Sequence, residues 1–124
     1  MNIRINFIPH NQQRYETLGD WFFDENGDLI ISVSNNVPEL PTKNHQILCA
    51  MHELSEVVLC EQNGVKQEDV DKFDMETFPA FNLPEDYEPG DHPEAPYGKE
   101  HRQAMLIEML MANFLGMKNY GTCK

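Results

Sequence analysis

The sequence predicts a single α+β domain over residues 1–124. A small N-terminal antiparallel sheet, a hairpin plus one strand, packs on two main α-helices joined by a long, ordered, acidic, proline-rich loop. Three observations lead there. Asn26-Gly27 separates the runs Asp20-Trp21-Phe22-Phe23-Asp24 and Asp28-Leu29-Ile30-Ile31-Ser32-Val33, and an Asn-Gly pair in that position favours a tight hairpin because both residues accept positive φ. From about Thr42 to Gln62 apolar residues recur at helical spacing, with Thr42 as N-cap and Asn63-Gly64 as a C-terminal stop. From Tyr97 or Gly98 to Leu115 a second long helical pattern ends at Gly116.

The remaining elements follow in order. Ile3, Ile5 and Phe7 alternate with Arg4 and Asn6, predicting a first strand that points three apolar side chains inward. Pro9 to Arg14 reads as a loop, and Pro38 and Pro41 separate the sheet from the helix after it. Val65 to Thr77 reads as a short acidic helix with contacts at Val70, Phe73 and Met75. Phe78 to Tyr97 holds five of the eight prolines and five acids, yet its aromatic residues and Leu83 predict a loop pinned onto the surface near the first helix. The last helix is apolar on all sides from Ala104 to Ala112 except at Glu108, which predicts a buried helix carrying a buried carboxylate. Such a group needs a cation, a hydrogen-bond donor or a proton. His101 lies two turns earlier on the same face.

A net charge of −12 disfavours nucleic acid and anionic membrane surfaces and suits a basic protein or peptide partner. No stretch reaches the length of a transmembrane helix, and the first residues lack the apolar core of a signal peptide. Cys49, Cys60 and Cys123 are odd in number, and the first two lie too far apart along one helix to pair with each other. A reducing cytosol is the expected compartment.

The chemistry concentrates on the first helix. His45, Cys49, His52, Glu53, Glu56 and Cys60 fall on one stripe without Lys or Arg. His52 and Glu56, one turn apart, can coordinate a single divalent metal, zinc being the expected one, with His101 or Glu108 completing the set. Glu53 would then take a proton from the metal-bound water. Beside this stands a purely structural reading. The stripe is then a solvated face, Glu108 bonds His101, His52 or Arg102 in a polar network, Cys49 and Cys60 act as small apolar residues, and the methionines fill the core. His92 reads as a solvated turn residue, or as an additional ligand.

His52-Glu53-Leu54-Ser55-Glu56 resembles the active-site helix of the zincin metallopeptidases, especially the small members whose last ligand is a glutamate from a later helix. That resemblance implies metal-dependent hydrolysis of a peptide or amide bond, with Glu56 standing where the family has its second histidine. A longer set of matches looks like small phage and prophage proteins: His52-Glu53-Leu54, Asn63-Gly64-Val65, Val70-Asp71-Lys72-Phe73-Asp74 and Pro89-Gly90-Asp91 through Glu100-His101 to Glu108. This resemblance implies the cytoplasm of a bacterium or a phage-infected host. Two other functions fit some of the residues. Glu53, Glu56 and Glu108 could hold magnesium for a nucleotide pyrophosphohydrolase. The acidic loop could instead bind a basic partner with no catalysis at all.

Overall fold

The computed structural model describes residues 1–118 and residue 120. Among these, β1 (Ile3–Ile8), β2 (Gly19–Phe23) and β3 (Leu29–Ser34) form one sheet in the order β1-β3-β2. The helices are α1 (Lys43–Asn63), α2 (Gln67–Lys72), which runs on into a π-helical turn at Phe73–Thr77, and α3 (Gly98–Phe114). This is a small α+β fold.

The hairpin forms where the Asn-Gly pair places it. Gly27 has φ +77°, and the Asp24 carboxylate accepts the N–H groups of both Asn26 and Asp28 at 2.9 Å, so the turn is held from two sides. β2 and β3 pair antiparallel from Gly19 opposite Val33 to Phe23 opposite Leu29. β1, however, runs parallel to β3, with Ile3 beside Leu29 and Ile8 beside Ser34, so the sheet is mixed and not antiparallel throughout. The chain crosses β3 between β1 and β2, which makes β3 central and buried along its whole length.

α1 begins where the Thr42 side chain accepts the His45 N–H at 3.2 Å and ends at Gly64, whose φ of +72° closes the last turn. It packs on β2 and β3, joining Trp21, Leu29, Ile31 and Val33 to Cys49, Ala50, Val57 and Cys60 in one core. The polar stripe faces inward: Cys49, His52, Glu53, Glu56 and Cys60 are buried, while Ile47 and Val58 lie toward solvent. The solvated-face reading is therefore excluded for His52, Glu53 and Glu56. Cys60 is a free thiol in this core, and Cys123 lies outside the described residues.

Two inward expectations are corrected. Ile3, Ile5 and Phe7 remain 49%, 43% and 42% exposed, because β1 is an edge strand lying outside the area that α1 covers. α3 is buried on one face only. Gly98, His101, Ala104, Glu108 and Ala112 turn inward, the small residues let α3 approach α1 closely, and Leu106, Leu110 and Phe114 turn out. The helical period, not the uniform hydropathy, decides which side chains are covered.

The 78–97 segment is ordered by rings. His92 stacks on Phe81 with centroids 4.4 Å apart and touches Phe73, Phe78 and Tyr87, so it is a packing residue and not a solvated one. No helix among the described residues is long and apolar enough to cross a membrane.

The division between covered and uncovered apolar residues has a measurable consequence. Ile31→Ala, at a position with no solvent exposure, should cost about 2–5 kcal/mol in urea unfolding. Leu106→Ala, on the open face of α3, should change stability by less than about 1 kcal/mol.

Candidate metal centre

α1 and α3 bring together a compact group of imidazoles and carboxylates. His52 Nε2, His101 Nδ1 and Glu56 Oε2 form a near-equilateral triangle: 3.2 Å between the two nitrogens, 3.3 Å from His52 to Glu56 and 3.1 Å from His101 to Glu56. All three side chains are buried. A tetrahedral zinc ion with ligands at 2.0–2.1 Å sets its donors about 3.3–3.4 Å apart, so the triangle has close to the dimensions of one tetrahedral face. His52, Glu56 and His101 are thus possible metal-ligand groups.

The outward nitrogens are anchored. His52 Nδ1 lies 2.8 Å from Glu108 Oε1, and His101 Nε2 lies 3.1 Å from Glu88 Oε2. Each carboxylate can accept the N–H of the ring nitrogen it faces, which fixes the ring's orientation and leaves its other nitrogen facing the triangle. Glu108 in turn accepts the Tyr120 hydroxyl at 2.6 Å on its second oxygen. Glu56 is steadied the same way: Trp21 Nε1 donates to its Oε1 at 3.0 Å, which aims Oε2 at both histidines.

The electrostatics follow from burial and partners. Burial alone would lower the His52 pKa, but the hydrogen bonds to Glu108 and Glu56 and the Glu53 charge outweigh it and push it up to about 11. His101 rises to about 10 by the same contest, its partners being Glu56 and Glu88. Burial works to raise the Glu56 pKa, and the two histidines overcome it and hold it down at about 2. Glu53 is different. Burial and the Glu56 charge push it well above the usual carboxylate range, its Oε2 lies 3.9 Å from His52 Nε2, and it makes no hydrogen bond among the described residues.

These groups line a cleft of about 40 Å³, large enough to admit water. Its far wall is Asp74, which accepts the Tyr97 hydroxyl at 2.6 Å and the Tyr15 hydroxyl at 2.7 Å. Burial carries the Asp74 pKa up to about 7 against those two donors. Two glycines admit the backbone on either side. A Cβ at Gly90 would lie 2.5 Å from His101 Cγ, and one at Gly19 would lie 2.8 Å from Cys49 Sγ and 3.0 Å from Glu53 Cγ.

His52, Glu53, Glu56 and His101 therefore meet, while Glu108 stands behind His52 on the ring nitrogen opposite the triangle. His45 lies apart from it, bonded to Thr42. Sequence reasoning left out Glu88, Asp74, Tyr15, Tyr97, Trp21 and the two glycines. The one signal among them was the packed character of the 78–97 segment. Compared with known proteins, the chain matches no family, no curated protein and no solved structure.

Gly90→Ala tests the close approach of the loop to the centre. The added methyl must displace the His101 ring or the loop, and urea unfolding should register a loss of about 1–3 kcal/mol. An unchanged midpoint would mean that the loop does not hold His101.

Proposed function

We propose that this chain binds one divalent metal ion, zinc by its donor set, between α1 and α3 and uses it to hydrolyse a peptide or amide bond. The observation that carries this reading is the triangle of His52 Nε2, Glu56 Oε2 and His101 Nδ1, with both opposite ring nitrogens held by carboxylates. Two nitrogens and one carboxylate oxygen suit zinc, whereas magnesium favours oxygen donors, which argues against the nucleotide pyrophosphohydrolase reading. Three protein ligands leave a fourth position for a reactant, as catalytic zinc sites do.

A bound ion supplies Lewis-acid polarisation and an activated water at that position. The protein supplies the rest. Glu108 and Glu88 orient the imidazoles, and Trp21 fixes Glu56. Glu53 is the general base and acid, exchanging a proton at a carboxylate that lines the cleft 3.9 Å from the His52 imidazole. The arrangement is zincin-like in its donors, with Glu56 in place of the second histidine of that helix and His101 as the later ligand. Asp74, Tyr15 and Tyr97 line the same small cleft as the triangle and Glu53.

A second reading has one observation in its favour. Each of the four imidazole N–H positions has a carboxylate to accept it, so a doubly protonated histidine pair forms a closed ion network without metal. The two readings differ in what metal does to those protons. Zinc must displace them from His52 and His101, so binding should release close to two protons per ion near neutral pH and weaken as pH falls.

Elemental analysis of the purified protein should find about one zinc per chain, with His52→Ala abolishing it. Glu108→Gln should keep the metal with about 10–100-fold weaker affinity. Glu53→Gln should keep it fully and lower hydrolysis about 10²–10⁴-fold. A wild-type protein that neither carries nor takes up stoichiometric zinc, manganese or iron would leave the ion network as the correct reading.

A further inference from the structure

We propose that the outer edge of β1 is a self-association site, where two copies of this chain join their sheets antiparallel about Ile5. The backbone defines the site. The Leu29 N–H donates to Asn2 O and the Asn35 N–H to Ile8 O, so the even-numbered residues of β1 carry the ladder to β3. Ile3, Ile5 and Phe7 consequently turn their N–H and C=O groups toward the open edge. Among the described residues only the Phe7 carbonyl finds a donor there, Asn35 Nδ2 at 3.2 Å.

The side chains of the same three residues lie on the face that β3 buries, beside Leu29, Ile31 and Val33, yet remain about half exposed. Natural sheet edges are guarded by proline, an unpaired lysine, a bulge or a covering loop. β1 has no proline, lysine or bulge. Its one charge, Arg4, is occupied by Asp24 at 3.1 Å and Asp28 at 3.5 Å, which flank the turn of the β2–β3 hairpin.

Two features select a second copy over an unrelated strand. The first is charge. Of the 21 acidic residues none lies in the first 15 positions, so β1 itself brings no acid into a contact between two chains of net charge −12, and Asp24 and Asp28 are paired with its Arg4. The second is register. Antiparallel pairing about Ile5 sets Ile5 opposite Ile5 and Ile3 opposite Phe7, all with outward backbone groups, so each facing pair exchanges both hydrogen bonds. The same register sets Arg4 opposite Asn6 and keeps the two arginines from facing each other. The strand is thus self-complementary in the way an isologous contact requires. The open face of α3 lacks these features and serves as the control.

Sedimentation velocity on the full chain, from low micromolar to several hundred micromolar, tests this. The expected result is a species of twice the 14.4 kDa chain mass that grows with concentration. Ile5→Lys should abolish it with the circular dichroism spectrum unchanged. Ile5→Pro, which removes an outward N–H and no bond to β3, should abolish it too. Leu106→Lys on α3 should leave it intact. A wild-type chain that stays monomeric throughout, a dimer that survives both Ile5 variants while they remain folded, or one lost in Leu106→Lys would overturn the proposal.

Discussion

The structure depends on one constraint: α1 buries His52, Glu53 and Glu56 on the face where a helix of this size would ordinarily place aliphatic side chains. Buried carboxylates and imidazoles are tolerated only when each is matched, and nearly every other feature near the centre supplies a match. Glu108 on α3 answers His52, Glu88 from the 78–97 segment answers His101, and Trp21 from β2 answers Glu56. Three separate parts of the chain therefore converge on α1 through polar contacts, with the aliphatic core of β3 beneath them. Glu53 also lines the cleft, with the His52 imidazole 3.9 Å away and no hydrogen bond among the described residues.

Close packing around this centre is bought with small residues. Ala104 and Ala112 bring α3 against α1, Gly90 lets the loop backbone reach the His101 ring, and Gly19 lets β2 reach Cys49 and Glu53. The same economy leaves large apolar side chains outside, on α3 and on β1. A chain of this length encloses a modest core, and here part of the interior is polar, so more of the hydrophobic surface stays in contact with solvent.

Much of this was legible in the amino-acid sequence, because local signals govern hairpins and helix ends. The Asn26-Gly27 turn, the Thr42 cap and the Gly64 stop all act within a few residues and read directly. The pairing of His52 and Glu56 with the α3 residues His101 and Glu108 was legible too, since an acid amid apolar helix positions demands a partner. What failed were inferences about coverage. Alternation in β1 shows that Ile3, Ile5 and Phe7 share a face, but not that a helix lies over it. The parallel direction of β1 depends on the crossing before β2, for which the loop holds no local code. The uniform hydropathy of α3 hid its one-sided burial. Glu88, Asp74 and the tyrosines were missed because their roles arise from tertiary contacts distant in sequence.

The central claim is that two imidazoles and one carboxylate converge to hold a metal ion, and the coordination shell of the zinc-loaded protein tests it most directly. X-ray absorption at the zinc edge should show nitrogen and oxygen donors at about 2.0–2.1 Å with the multiple scattering of two imidazole rings. One ring's signal should disappear in His101→Ala. A sulfur shell at about 2.3 Å, or a shell of oxygens without imidazole, would place the ion elsewhere and contradict the account.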